Sequence, residues 1–396
     1  MSNPDHHTAI KQLLAAAASL AVASPLSLFG APTPQRERPT GEEHQQMAAV
    51  GRKFMNQFFA PALSVAIVRN GAFVFERPFG MADKEAQVPT SPTTLFRIAS
   101  VTKPFTSVAI FTLVEHGKLN LNNKVFGSSG VFDNMYGKPP YKQYGTDITV
   151  DNPLTHTSGG WPNDPTDPMF RFNSWSQAKL ITWTLANLPL TYPPGTHWAY
   201  SNFGYCVLGR IIEKITGMPY KDYIQQAVPT PCGISDMAIA GSTLKQRQPN
   251  EAMYVGQFGE NPYNRNVTRM DSHGGWIANP SDLARFCTHV GGAPGVPSIL
   301  KPETVAIMTT PAPAYPANSQ AKCARGWMVR DNGKGNCGGI TAACRARPAS
   351  WSARRTACAG ERSPTLARSL QAQSTPRSTK WCGTWSTRCR DGAVDA

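Results

Sequence analysis

A serine, a lysine and a helix start give this sequence its clearest chemical signal. The residues Ser100-Val101-Thr102-Lys103 open an apolar run, Pro104 to Val114, which ends in Glu115-His116-Gly117. This pattern predicts a helix, because proline is tolerated in a first turn and glycine commonly follows a last one. Ser100 and Lys103 then lie one turn apart on the same face. A serine nucleophile needs an adjacent base and a site that tolerates an oxyanion, and a lysine at a helix N-terminus supplies part of both needs.

The Ser-x-x-Lys pattern is weak by itself, so its context decides which serine matters. Only Ser100 precedes a long apolar helix and, one hundred residues later, the one Tyr-x-Asn in the chain, Tyr200-Ser201-Asn202. The candidate catalytic residues are therefore Ser100, Lys103, Tyr200 and Asn202. Asn202 also suits a plain helix N-cap, and that alternative stays open. The same Ser-x-x-Lys pattern also begins at Ser176, Ser242, Ser298 and Ser319.

The elements that must position these residues can be read from the apolar periodicity. Two β-rich runs, Ala62 to Val68 and Ala72 to Arg77, flank Asn70-Gly71, which is the strongest short hairpin signal. A second amphipathic helix is predicted from Asn202 to Ile215, with Gly217 ending it. Further helices are predicted at Glu42–Phe59, Pro280–Val290 and Lys301–Met308, while the segments Asn120–Asn152 and Pro229–Asp271 show irregular patterns.

With these motifs in place, the chain resembles the serine β-lactamase and penicillin-binding-protein superfamily, most closely the class C β-lactamases and related esterases and D-amino-acid peptidases. The resemblance runs from about Met47 to about Gly335. It implies an α+β fold, in which an antiparallel sheet from both chain ends is flanked by helices and a mostly helical subdomain is inserted between them. It also implies an active site in the cleft between the two parts, and no cofactor. The supporting segments are Leu63–Val68, Phe96–Phe105, Leu154–Gly160 and Pro280–Phe286.

The resemblance also implies a role for each candidate residue. Ser100 would be the acylated nucleophile, with its own amide as one oxyanion donor. Lys103 would orient Ser100 and either share its proton or keep Tyr200 ionised. Tyr200 would be the base in acylation and the acid toward the leaving group. A phenol pKa of about 7 needs roughly 4 kcal/mol of stabilisation, which one ammonium about 4 Å away supplies at an effective dielectric near 20. Asn202 would hydrogen-bond Lys103 and the substrate's acyl amide.

The predicted function is hydrolysis of a β-lactam, an ester or a D-amino-acid amide through an acyl-enzyme on Ser100. The alternatives are a penicillin-binding D-Ala-D-Ala-type carboxypeptidase and a catalytically crippled remnant. The absence of Gly-x-Ser-x-Gly argues against an α/β-hydrolase. His156, Trp161, Trp198 and Trp276 are interpreted mainly as structural residues, although any of the tryptophans could line an acyl pocket.

The charge distribution and the cysteine spacing argue against a nucleic-acid partner and a metal site. The 396 residues carry a net charge of +14, but half of the excess lies in Cys337–Ala396, with ten Lys and Arg against three Asp and Glu. This concentration argues against a nucleic-acid surface. There is no Cys-x-x-Cys or His-Glu-x-x-His, so no metal site is predicted, and Cys206 is expected to be a buried thiol. The expected partner is a small-molecule substrate, and the sequence does not predict an oligomeric state.

The N-terminus predicts export. Lys11 precedes an apolar run, Leu13 to Ala23, whose Ala21-Val22-Ala23 end is typical of a signal cleavage site. Residues 1–31 are therefore predicted to be a signal peptide or leader, and a mobile alanine-rich leader is the alternative. The run is too short for a transmembrane helix, and no later stretch is apolar enough. The predicted location is the periplasm or the extracellular space.

The third motif of the resembled superfamily, Lys-Thr-Gly or His-x-Gly on a C-terminal strand, is missing. From Cys337 onward there is no Phe, Tyr or Met, which is typical of GC-rich coding sequence read out of frame. Shifting the frame by one base lets Gly339–Arg347 encode His-Asn-Gly-Ser-Leu-Pro-Gly-Thr. We therefore predict a catalytic domain at 42–336 and a frameshifted tail at 337–396, with a native disulfide-bearing tail as the alternative. The chain as printed is expected to be nearly inactive.

Overall fold

The computed structural model describes residues 39–256, 260–319 and 321–331, and the backbone of short strands at 336–339, 346–347, 388–390 and 393–395. The predicted leader and most of the predicted frameshifted tail lie outside the described residues. Both remain predictions.

A helix and a long β-hairpin open the described chain close to their predicted positions. Helix α1 (Gly41–Phe58) begins at a capping box. Strands β1 (Ala62–Arg69) and β2 (Ala72–Asp83) pair antiparallel, and α1 packs on both. Asn70 and Gly71, with φ of 51° and 77°, form the two-residue turn, which requires positive φ at both positions. The predicted hairpin is therefore confirmed.

The helix that carries the lysine follows a short strand and a tight turn. Strand β4 (Phe96–Arg97) runs into a 3-10 turn, Ala99–Val101, and then into helix α2 (Thr102–Glu115). Pro104 lies in the first turn of α2, as predicted, and Gly117 follows its end with φ of 68°. Nearly every residue of α2 is buried, because a helix that is apolar on all faces must be surrounded by other elements.

Other helices surround α2 and cover the hairpin. Their bounds are α3 Asp151–Thr155, α4 Gln177–Asn187, α5 Asn202–Thr216, α6 Tyr220–Ala227, α7 Pro280–Gly291 and α8 Pro302–Thr309. Helices α5, α6 and α8 pack against α2, and α7 packs against β1. The predictions for α5, α7 and α8 are confirmed, whereas α3, α4 and α6 were not predicted. Helix α4 could have been recognised from its Ser176 cap and its buried Leu180, Ile181 and Leu185.

The remaining strands form small antiparallel sheets. Their bounds are β3 Val88–Pro89, β5 Ala238–Ile239, β6 Val255–Gly256, β7 Trp276–Ala278, β8 Lys322–Cys323, β9 Met328–Asp331, β10 Asn336–Gly339, β11 Ala346–Arg347, β12 Arg388–Arg390 and β13 Ala393–Asp395. In the described residues the hydrogen-bonded orders are β1-β2-β3, β4-β7-β5, β10-β9-β8, β11-β6 and β12-β13. Strand β10 pairs antiparallel with β9, although it carries neither Lys-Thr-Gly nor His-x-Gly.

The main hydrophobic core lies between α2, α5 and the elements around them. Phe105, Phe203 and Phe286 are fully buried in it, and Cys206 is a buried free thiol, as predicted. Helices α1 and α7 pack against the hairpin, and helices dominate the segment from α2 to α6, so the α+β class is confirmed. Among the described residues, no helix is both long and apolar enough to cross a membrane.

Candidate active site

The candidate nucleophile lies at the point where a strand turns into a helix. The Ile98 amide donates to the Trp276 carbonyl at 3.0 Å, which ties the end of β4 to β7. Ala99 then adopts φ of 44°, a conformation unusual for a residue with a β-carbon. Ser100 follows in the 3-10 turn and is half-buried. The sharp turn therefore presents the Ser100 hydroxyl at the N-terminal end of α2.

Lys103 is buried and holds the site together. Its side chain is 2% exposed. Lys103 Nζ donates to Ser100 Oγ at 3.1 Å, to Asn202 Oδ1 at 2.9 Å and to the His273 carbonyl at 2.9 Å. The same ammonium lies 4.8 Å from the centroid of the Tyr200 ring. The predicted one-turn spacing of Ser100 and Lys103 thus produces a direct hydrogen bond.

Tyr200 reaches Ser100 from the other side. Its hydroxyl donates to Ser100 Oγ at 2.9 Å, so the serine oxygen accepts from both Lys103 and Tyr200. The buried His156 positions Tyr200: its ring lies 4.3 Å from the Tyr200 ring, and its Nδ1 accepts from the Ser201 amide at 3.1 Å. His156 is therefore a supporting residue, in line with its structural interpretation.

Asn202 occupies the first turn of α5, but it does not cap the helix. The cap is Ser201, whose hydroxyl accepts from the Gly204 amide at 3.1 Å. The plain N-cap alternative for Asn202 is therefore wrong. Asn202 Oδ1 accepts from Lys103, as expected, whereas Asn202 Nδ2 donates to Asn163 Oδ1 at 2.8 Å and to Asp167 Oδ2 at 3.1 Å. Both amide hydrogens are engaged, so the expected contact with a substrate's acyl amide has no donor left.

The electrostatics favour one of the two possible bases, Lys103, over the other, Tyr200. Burial raises the pKa of Tyr200, and the hydrogen bond with Ser100 only partly opposes this effect. Burial also lowers the pKa of Lys103 to about 7, although the charge of Asp167 opposes the shift. Burial therefore disfavours the charged form of Tyr200 and opposes the expected phenolate near neutral pH. Lys103 is the group that can be neutral at pH 7.

Sequence reasoning missed Asn163, Asp167 and the His273 carbonyl. The backbone amide of Asn163 donates to the Tyr200 carbonyl at 2.7 Å, and its side-chain oxygen accepts from Asn202, so the loop that carries Asn163 holds both residues. Asp167 is fully buried and caps a 3-10 turn, Pro168–Phe170. The Asp-Pro pair at 167–168 could have indicated a capping residue. No local pattern indicated its contact with Asn202.

The tryptophans pack as expected, and the described residues offer no metal centre. Trp276 is fully buried, and Trp161 Nε1 donates to the Leu188 carbonyl at 3.1 Å. Trp198 packs edge-on against Tyr315, with 4.7 Å between the ring centroids. Within the described part of the chain, no three His, Cys, Asp or Glu residues lie close enough to hold a metal ion.

Comparison with known proteins gives one family match and several relatives. The family model described as Beta-lactamase matches residues 48–359. Protein flp of Staphylococcus aureus (strain MW2) is 33% identical over 187 residues, which are 47% of this chain and 36% of that protein. This chain thus spans little more than a third of the length of that curated relative.

Solved structures share the fold. The octameric penicillin-binding protein homologue from Pyrococcus abyssi has a TM-score of 0.60 and 25% identity, covering 75% of this chain and 67% of that one. The D-amino acid amidase from Ochrobactrum anthropi SV3 has a TM-score of 0.59 and 21% identity, covering 75% of this chain and 83% of that one. At this identity the amidase shows the fold alone.

Proposed function

Because the chain belongs to the Beta-lactamase family, whose members are generally hydrolytic enzymes, we propose that it is a serine hydrolase that forms an acyl-enzyme on Ser100. One observation carries the proposal: Ser100 Oγ accepts hydrogen bonds from both Lys103 Nζ, at 3.1 Å, and Tyr200 Oη, at 2.9 Å. A serine placed between a base and an acid is the arrangement that acyl transfer needs.

Lys103 is the base in this proposal. Neutral Lys103 has two N–H hydrogens, which go to Asn202 Oδ1 and the His273 carbonyl, so its lone pair faces the Ser100 hydroxyl. It takes the Ser100 proton while Ser100 Oγ attacks the substrate carbonyl carbon, which gives a tetrahedral intermediate. Tyr200 donates its proton to the leaving-group atom as the carbonyl–leaving-group bond breaks, and Lys103 returns a proton to Tyr200. A water molecule then attacks the acyl-enzyme by the reverse proton path and regenerates Ser100. The pKa of Lys103, about 7, provides the neutral base near neutral pH.

The substrate class follows from the amide of Asn202. Both of its hydrogens are already donated to Asn163 and Asp167, so Asn202 has no N–H left for the carbonyl oxygen of an amide in the substrate's acyl group. The acylamino group of a β-lactam has a carbonyl oxygen that needs such a donor, whereas a simple carboxylic ester has no such group. Between β-lactams and esters, we therefore propose simple esters as the preferred substrate class.

The test is intact-mass spectrometry of the protein and of Ser100→Ala after brief exposure to para-nitrophenyl acetate and, separately, to a penicillin. We expect one acetyl adduct on Ser100 with the ester, slower or no adduct with the penicillin, and neither adduct on Ser100→Ala. A stable penicillin adduct without ester turnover would instead identify a penicillin-binding peptidase. Equal ester labelling of the two proteins would overturn the proposal.

A crippled remnant is the second candidate, and the sequence after β9 favours it. Strand β10 (Asn336–Gly339) contains neither Lys-Thr-Gly nor His-x-Gly. Loss of one oxyanion donor typically lowers the rate on the order of a hundred- to a thousandfold. A remnant would acylate slowly with an activated ester and show almost no turnover. The adduct test and a turnover assay together separate the two candidates.

A further inference from the structure

We propose that Asp167 is a positioning residue for the reaction at Ser100, acting on Lys103 both through the Asn202 amide and by its negative charge. This inference rests on the proposed function. Asp167 is fully buried, and its Oδ2 accepts from Asn202 Nδ2 at 3.1 Å. Asn202 Oδ1 in turn accepts from Lys103 Nζ at 2.9 Å. A continuous chain of contacts thus joins the carboxylate to the base.

Asp167 and Asn163 fix which way the Asn202 amide points. A side-chain amide has an oxygen that only accepts and a nitrogen that only donates. Two acceptors, Asp167 Oδ2 and Asn163 Oδ1, lie at the nitrogen end. The oxygen therefore faces Lys103 and holds its Nζ within reach of Ser100. A flipped amide would place two acceptors against the oxygen, which is strongly unfavourable in a buried site.

The charge of Asp167 matters because its neighbours around Lys103 are neutral. Burial lowers the pKa values of His156 and His273 well below the ordinary value for histidine, which favours their neutral forms. It also raises the pKa values of Tyr200, Tyr205 and Cys323, which keeps these groups neutral. Asp167, whose pKa burial raises to about 6, is ionised above that pH. Among the groups described around Lys103, it is the one that carries a negative charge at pH 7. The titratable side chains around Lys103 in the described residues are Asp167, His156, Tyr200, Tyr205, His273 and Cys323.

The loop that carries Asp167 is held in place, so the carboxylate cannot easily turn away. Asp167 Oδ1 accepts from the Met169 amide at 2.9 Å. The buried guanidinium of Arg269 donates to the carbonyls of Met169, Arg171, Phe172 and Trp175, at 2.7 to 3.1 Å. These contacts fix the segment that follows Asp167 directly.

The test compares Asp167→Asn with Asp164→Asn, using the pH dependence of the rate of acylation by para-nitrophenyl acetate. Asp164 lies on the same loop, is exposed, and bonds only within it, to the amide and hydroxyl of Thr166. In Asp167→Asn we expect the acidic limb of the pH–rate profile to move to lower pH by on the order of one unit. The reason is that the lost negative charge stabilised the protonated form of Lys103. We expect no shift in Asp164→Asn.

The outcomes separate this inference from the proposed function. No Ser100 adduct in the unsubstituted protein refutes the proposed function before Asp167 is tested. If Asp167→Asn lowers the acylation rate but leaves the acidic limb of the pH–rate profile where it was, this inference alone is refuted. A purely structural role would lower the rate without moving that limb. If Asp167→Asn does not fold, Asp167→Ser keeps an oxygen for the Met169 amide and should show the same shift. If neither variant folds, Asp167 acts in stability and the inference is wrong.

Discussion

Replacing Tyr200 with phenylalanine distinguishes the two candidate bases. The substitution removes the hydroxyl that donates to Ser100 Oγ at 2.9 Å and keeps the ring, which lies 4.3 Å from the His156 ring and 4.8 Å from Lys103 Nζ. With Lys103 as the base, Tyr200→Phe keeps proton removal from Ser100. It loses one hydrogen bond to the nucleophile and the proton donor to the leaving group.

The two losses differ in size, and the substrate determines which of them is observed. A leaving para-nitrophenolate needs no proton, so only the hydrogen bond is lost, about 0.5–1.5 kcal/mol or roughly a 2- to 13-fold lower rate. An alkoxide leaving group needs the proton, and removing a general acid lowers the rate by roughly 10²- to 10⁴-fold. In the proposed mechanism Lys103 is the base: with a pKa of about 7 rather than 10.5, about half of it is neutral at pH 7, against roughly one part in 3,000 for an ordinary lysine.

The assay is kcat/KM for para-nitrophenyl acetate and for ethyl acetate at pH 7. Tyr205→Phe is the matched control, because its ring also lies near Lys103 Nζ, at 5.5 Å, while its hydroxyl donates to the Leu154 carbonyl. We expect a small loss on the activated ester and a large loss on ethyl acetate for Tyr200→Phe, and an unchanged ratio of the two values for Tyr205→Phe. Equal losses of a hundredfold or more on both esters would show that Tyr200 is the base, and the reasoning from burial would be wrong.

Three further predictions concern stability and the tail. The pKa of Lys103 is lower in the folded than in the unfolded state, so raising the pH above 7 favours folding. In urea unfolding, the free energy of unfolding of the protein minus that of Lys103→Met should therefore rise by about 2–3 kcal/mol between about pH 7 and pH 9. If this difference does not change with pH, the argument from burial is wrong. Gly159→Ala should lower the Tm more than Gly217→Ala: both glycines have positive φ, but a β-carbon at 159 would lie 2.1 Å from a backbone oxygen, and at 217 it would meet nothing within 4 Å. Equal losses would refute that clash. Restoring the reading frame near Asn336 should raise ester turnover roughly a hundred- to a thousandfold, and equal turnover by the two forms would refute the frameshift prediction.

The hairpin, α2 and α5 could be predicted because their signals are local. Asn70-Gly71 determines its own turn, and Pro104 and Gly117 mark the limits of α2 by their backbone preferences alone. Helices α3, α4 and α6 were missed because prolines and tryptophans nearby obscured short apolar patterns. Their stability comes from packing against neighbours that are distant in the sequence.

The sequence by itself identified the candidate nucleophile, the lysine one helical turn away and the Tyr-x-Asn pair, because each lies within one short motif. Only the tertiary structure decided their surroundings. Burial lowers the pKa of Lys103 and raises that of Tyr200, which favours Lys103 as the base in the proposed mechanism. Asp167 joins the site through Asn202 across 35 residues of chain, and no local pattern announces that contact. Desolvation and long-range hydrogen bonds depend on what surrounds a side chain, so they exist only once the chain has folded.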